Sequence, residues 1–558
     1  MNSTTMKGTR IGLCCLRLGA LLGLALSLFT CSAQSAPNVA EGGTPFIALH
    51  IYYISPTGND GYSGTSPLRP WATPNHSVVC GDVIIAAAGS YNLNQFFSGK
   101  WGAVSNCPST SGGIDGAGGV EFAVLLCAGP NLGDCNVNGG ALEAFRPDVG
   151  HWAIEGFNGT QATNAGGGCF SAENDNHAVQ RYVAFVNDIA STCDLAGFDA
   201  SGGSNGGSFD YIAAVGVVSF NGANSISPYC GSGISLAPGN GDAGKGTHIF
   251  IDGYFGAYNT NSGGAGQCAV SGNPNFPHSD GEGIIFDSYG GGYTVGGFTK
   301  QVVLENAVIW RSGNACVEVF PAAKPGTDLA QYVIFNITCY SNNQDPLAFC
   351  AGAELLLNGI YPSGTGSYNI TNSIFESTQL TCGGAARATL FGRALALATG
   401  GSSGANSVYG ALISETNSSP GFPIVTVQGN YIWQSHPPTT TTVGPPNTLV
   451  YLNGVRNSPW NFGTDTYRAA GLTNPSSLFS SSPDCSSYNN VTDCMLTAYR
   501  VYANVKPTLA PTTIGYQRPE ACATDAYYPD WLKGIVYLHW NRSVITENPG
   551  LVTKPCGM

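Results

Sequence analysis

The chain has 558 residues, with 21 Lys+Arg against 34 Asp+Glu, and carries a formal charge of −13 at pH 7. An acidic balance excludes nucleic acid and anionic membrane surfaces as partners, because both reward a basic surface. Charged residues make up 10% of the chain, hydrophobics 43%, and glycines number 77, which excludes disorder and points to a β-rich chain with many tight turns.

The first element is a leader. Lys7, Arg10 and Arg17 precede an apolar run from Leu18 to Thr30, and small residues follow through Ala33 and Ala36. Charge, hydrophobe and small-residue exit in that order describe a signal peptide over residues 1–36. The apolar run is 13 residues long, short of the roughly 20 that cross a bilayer, so the mature form is expected outside the cytoplasm and not in a membrane. Cys31 offers a lipidation alternative that bulky Phe29 and Thr30 fit poorly. Cleavage after Ala36 leaves 16 of the 19 cysteines and, with three cations gone, a charge of −16. An even count in an exported chain reads as disulfides, and the local pairs Cys127 with Cys135, Cys339 with Cys350, and Cys485 with Cys494 are candidates. No C-x-x-C pair stands in the mature chain, so no metal site is expected from its cysteines.

Residues 37–150 are expected to form an N-terminal cap and first coils, and residues 151–434 the core. From Trp152 a short strand recurs, each copy followed by turn residues: Trp152–Phe157, Tyr182–Asn187, Tyr211–Val215, Ile249–Gly253, Val302–Asn306, Tyr332–Asn336, Tyr368–Asn372 and Thr426–Asn430. Asn306 to Asn336 is 30 residues, Asn336 to Asn372 is 36, and the 58 on to Asn430 reads as two turns of 29. A near-fixed period with one strand and one Asn corner per turn signals a parallel β-helix of about ten coils. The Asn column reads as structural, since Asn tolerates left-handed corners and its amides bond up a stack. Trp152 and Phe335 read as core.

A second strand repeats as Gly197–Ser201, Gly233–Ala237, Gly283–Asp287 and Cys316–Phe320. Alternation along a strand sends Phe198, Ile234, Ile284 and Val317 inward as one column, and Ala200, Leu236, Phe286 and Val319 as another. Asp199, Ser235, Ile285 and Glu318 then face outward, with Asp287 and Phe320 in the next outward column. At about 4.8 Å between coils, Asp287 and Glu318 fall on neighbouring rungs of one face. Coils are expected to end near Gln434. Residues 435–450, rich in Pro and Thr, read as a loop, and 451–558 as a disulfide-containing cap over the last coil.

Two stretches carry a family resemblance. Tyr53–Asp60 with Gly64-Thr65 and Pro70–Thr73, followed by Gly81–Ile84 and Ala88–Tyr91, resembles the entry coil of pectin-lyase-like right-handed parallel β-helix proteins. Asp280–Asp287 through Asn306 to Glu318-Val319-Phe320 resembles a middle segment of the same superfamily, so the resemblance spans residues 51–434. It implies the all-β, right-handed parallel β-helix fold. Its members include lyases, hydrolases, epimerases and adhesins. The Asn-Thr-Asp, Asp-Asp, Gly-His-Gly and Arg-Ile-Lys set of polygalacturonases has no match, and no pectate-lyase arginine motif is evident.

The richest polar cluster is His278-Ser279-Asp280-Gly281-Glu282 with Asp287, then Glu318 and Glu354 on later coils. Glycoside hydrolysis needs one protonated and one ionised carboxyl group, so Asp280, Glu282, Asp287 and Glu318 are the catalytic candidates, with Asp287 and Glu318 the closest outward pair. Asp199, His278, Lys300, Arg311, Lys324 and Glu354 are candidates for holding substrate. The plainer alternative is that Asp280 and Glu282 satisfy a turn and Asp287 is a solvated acid. A lyase would need a base and a cation beside a uronate. Lys300, Arg311 and Lys324 are the nearby bases, and Asp280, Glu282 and Asp287 are possible Ca²⁺ oxygens. His151, His177, His248 and His539 lack metal-ligand spacing. The expected partner is a polysaccharide, cleaved by hydrolysis ahead of β-elimination, with a non-catalytic solenoid as the third reading. That third reading requires an outer face of aromatics and amides on which no carboxylates converge.

Overall fold

The computed structural model describes residues 48–111, 121–129, 134–140, 142–162, 168–172, 179–193, 196–201, 208–220, 232–237, 246–257, 281–287, 301–320, 331–340, 342, 353–357, 367–377, 393–397, 424–428, 430–434, 450–451, 466–469 and 527–532. Among them every strand pairing is parallel, and strands sort into three long sheets with one small pair. The first sheet has 11 strands from Ile51–Ile54 to Ile424–Gln428, and the second has 11 from Gly89–Asn92 to Thr466–Ala469. The third has 8, from Phe170–Ser171 to Val450–Tyr451. One coil visits the three in turn, as in Gln301–Glu305, Val308–Trp310 and Val317–Phe320. This is a right-handed parallel β-helix.

The predicted inward column is present. Phe198 pairs with Ile234, Ile234 with Ile284, and Ile284 with Val317, and all four are buried in the main core. Rings repeat the rung spacing along the axis: Phe145 stacks on Phe170 at 4.6 Å and Phe170 on Phe198 at 4.9 Å between centroids. Trp152 is fully buried in this core. Phe335 is not in it. It is half-buried on the outer face of the first sheet, against Tyr527 at 5.3 Å.

The corner between first and second sheets requires a left-handed residue, and Asn187, Asn306, Asn336 and Asn372 take it with φ of 52, 50, 54 and 52°. Gly156, Gly216 and Gly253 fill the same column on other coils. Where asparagines stack they bond in series: Asn306 Nδ2 donates to Asp252 Oδ1 at 2.9 Å, Asn336 Nδ2 to Asn306 Oδ1 at 3.2 Å, and Asn372 Nδ2 to Asn336 Oδ1 at 2.5 Å. Asn430 stands one place later. Thr371 pairs with Gln428, and Asn430 Oδ1 accepts from the Ser373 N–H at 2.9 Å.

Three further expectations need correction. Ser367–Thr371 pairs directly with Ile424–Gln428, so the 58-residue interval is one coil with a long excursion and not two. Coils also continue past Gln434, since Val450–Tyr451 pairs with the strand Arg393–Leu397 and Thr466–Ala469 with Tyr431–Gln434. The described part of the C-terminal region, residues 527–532, lies along the flank. Trp531 and Leu532 join Phe122, Tyr182, Tyr211 and Phe250 in a second apolar cluster outside the first sheet.

Among the described residues four disulfides join Cys80 to Cys107, Cys127 to Cys135, Cys169 to Cys193, and Cys316 to Cys339. The second was expected. Cys339 takes not Cys350 but Cys316, which stands just before the strand Val317–Phe320 on the preceding coil. Cys350, Cys485 and Cys494 lie outside the described residues.

Candidate functional site

The site is built where chain enters the third sheet. Gly281, at φ 109°, turns the backbone before Ile284–Asp287, and Glu282 follows it fully buried. Two neighbouring coils supply its partners. Ser232 Oγ donates to Glu282 Oε2 at 2.7 Å from the coil before, and Asn314 Nδ2 donates to Oε1 at 2.7 Å from the coil after. Glu318, also on the coil after and 5% exposed, stands close enough for its charge to act on Glu282. Burial first, and then the charge of Glu318, hold the Glu282 carboxyl well above the usual carboxylate range. Two neighbouring buried carboxyl groups resist ionising together.

Glu318 was expected to face Asp287. Register places Glu318 beside Ile285, and Asp287 beside Phe320, so Asp287 sits two residues further on and roughly 8 Å away by strand rise and rung spacing. The carboxyl partner of Glu318 is Glu282. Asp199 lies in the same outward column as Glu318 but three rungs off, through Ser235 and Ile285, and Ser171 Oγ approaches its Oδ2 at 3.4 Å. This face is not open. Glu318 is 5% exposed and Asp199 3%, so the expectation of solvent-facing acids fails.

Glu354 forms a separate arrangement one coil later. Its Oε1 accepts from the Asn342 N–H at 3.0 Å and its Oε2 from Asn342 Nδ2 at 2.5 Å, beside the Cys316–Cys339 disulfide. Arg311 ends the second-sheet strand half-buried, in the left-handed region at φ 51°, its backbone N–H bonded to Tyr340 O at 3.2 Å. His278, Asp280, Lys300 and Lys324 lie outside the described residues. A Ca²⁺ site using Glu282 does not fit, because each of its oxygens already meets a side-chain donor.

Sequence reading missed Ser232 and Asn314. Both are polar residues just before a third-sheet strand, in the corner that also holds Glu282, and aligning corners as well as strands finds them. Fully buried His248 bonds through Nδ1 to Asp210 Oδ1 at 2.6 Å and stacks on Tyr211, while His177 and His539 lie outside the described residues. Among the described residues, the groups compact enough for a metal each contain a disulfide, Cys80–Cys107 with His151 and Cys316–Cys339 with Glu354, so their sulfurs are not thiolate ligands. No described helix is long and apolar enough to cross a membrane.

No protein-family model and no curated protein sequence matches the chain. Among solved structures it is similar to the pectate lyase Pel9A, at 13% identity and a TM-score of 0.35 over 78% of this chain and 84% of that one. A rhamnogalacturonan lyase is similar at 11% and 0.36, over 75% and 87%. A GH136 lacto-N-biosidase from Eubacterium ramulus is similar at 10% and 0.28, over 75% and 67%. The three parallel sheets, visited once per coil, are those of a parallel β-helix.

Proposed function

We propose that the chain is an exported polysaccharide-degrading enzyme that works by hydrolysis, with Glu282 and Glu318 as its carboxyl pair. The observation that carries this reading is the burial of Glu282 and Glu318 on adjacent coils, where the charge of one opposes ionisation of the other. Such a pair holds an acid and a base together over a wide pH range, which is what protonation of a glycosidic oxygen and activation of water require. The non-catalytic reading demanded that no carboxylates converge, and two do. A carboxyl whose ionisation is opposed by burial serves better as a proton donor than as a base, which favours hydrolysis over β-elimination.

Both carboxyl groups are buried, so cleavage requires that substrate binding opens the pair to the roughly 5–5.5 Å of retaining or 6.5–9.5 Å of inverting glycosidases. The test is a screen of neutral and acidic polysaccharides read by new reducing ends and by ultraviolet absorbance. Reducing ends without absorbance support hydrolysis. Absorbance from unsaturated products overturns it in favour of a lyase, and neither signal on any polymer leaves the solenoid non-catalytic.

A further inference from the structure

The two oxygens of Glu282 are held by different chemistry. Oε1 takes the Asn314 amide at 2.7 Å and Oε2 the Ser232 hydroxyl at 2.7 Å. An amide NH₂ only donates, so the oxygen it meets has to be an acceptor, while a hydroxyl turns to give or receive. The same corner is tied down at several points. Asn314 donates its backbone N–H to Gly281 O at 3.0 Å, next to Glu282. Ser312 donates its N–H to Asn342 Oδ1 at 2.9 Å, and Cys316 is bonded to Cys339. Asn314 itself is 2% exposed. A side chain locked by its own backbone tether, a flanking disulfide and a neighbouring-coil amide is built to hold geometry and not merely to fill space.

We infer that Asn314 is a positioning residue that makes Oε1 of Glu282 the acceptor oxygen and so leaves the carboxyl proton to Oε2, on the Ser232 side. The inference rests on the reading of Glu282 and Glu318 as the working pair. It gives the two roles: Glu282 presents the proton, and Glu318 receives it back. Ser232 is the hydroxyl across which that proton reorients.

The experiment is infrared titration of the full chain in the carboxylic acid C=O region, alongside the pH profile of reducing-end release. In the wild type a protonated-acid band persists above the ordinary glutamate range, and Glu282→Gln removes it. Asn314→Leu removes the donor from the carbonyl oxygen, so the band moves to higher wavenumber and its titration to higher pH, with the alkaline limb of activity following. Asn314→Gln, which keeps an amide donor, moves the band back toward its wild-type position, a rescue that general loosening would not give. If the band in Asn314→Leu keeps both its wavenumber and its titration, the inference is overturned whatever the activity. If the band responds as described while no polysaccharide is cleaved, Asn314 keeps its role and the hydrolytic reading alone fails.

Discussion

Trp531 donates its indole N–H to the Thr247 carbonyl oxygen at 2.8 Å, joining positions 284 residues apart. Around that bond the ring packs edge-on against Tyr182 and Tyr211, each at 5.8 Å between centroids. Thr247 Oγ1 returns a bond to Tyr527 O at 3.4 Å. The site is also where the first sheet changes register, between Thr247 and Ile249, and an irregular rung has backbone groups left for an outside partner.

Trp531→Ala should therefore cost about 3–5 kcal/mol, the usual price of a truncated buried aromatic. Trp531→Phe, which keeps apolar bulk and loses the indole donor, should cost less. Urea unfolding of each variant measures this. A loss below about 1 kcal/mol for the alanine, within the range of surface substitutions, would mean that residues 527–532 only rest on the sheet.

Asn336 stands between two amide neighbours in a left-handed corner. Asn336→Ala loses both bonds and keeps a Cβ in the left-handed region, at roughly 1–2 kcal/mol, without the amide that made it tolerable. Asn336→Gly loses the bonds alone, and Gly156, Gly216 and Gly253 show that glycine suits this column. Alanine should be more destabilising than glycine by about 1 kcal/mol in chemical denaturation. Equal losses would leave the corner conformation without energetic weight.

The strands were legible because parallel strands alternate faces with a period of two, and Phe198, Ile234, Ile284 and Val317 keep that period through every pairing. The carboxyl pair was half legible. Glu318 lies within a strand, so its outward direction follows from alternation. Glu282 lies after Gly281 at φ 109°, in a corner where alternation says nothing about direction, and so Asp287 was paired with Glu318 in its place. Arithmetic on spacings fails for a similar reason: 58 residues fit two short coils or one coil with an excursion, and only pairing of Ser367–Thr371 with Ile424–Gln428 decides. Trp531 gives no local signal at all, since its partners lie hundreds of residues earlier in the chain.

Stability should fall as pH rises above the ordinary carboxylate range. Burial raises Glu282 and Asp188 above their ordinary values of 4.5 and 3.8, with Glu318 and Glu155 adding to each. A folded-state value above the unfolded one means that folding binds the proton. The contribution is full below the unfolded value and is lost as pH climbs through the folded one. His151 acts oppositely: burial lowers it from 6.5, so its contribution is full above that value and is lost on acidification. A melting temperature highest in mildly acidic buffer should result. Glu282→Gln, which cannot ionise, should flatten the alkaline decline, and a decline as steep as the wild type's would show that Glu282 is ionised in the folded chain.

The central claim is the identity of the working carboxyl pair, and the most direct measurement is the hydrolysis rate of Glu282→Gln, Glu318→Gln and Asp287→Asn on one polysaccharide that the wild type degrades. Each glutamine variant should lose about 10² or more in kcat, the scale of positioned acid–base help, with circular dichroism unchanged. Asp287→Asn, two residues along the strand from the rung position of Glu318, should lose far less. Wild-type turnover in both glutamine variants would contradict the account and make Glu282 and Glu318 a structural pair that holds adjacent coils together.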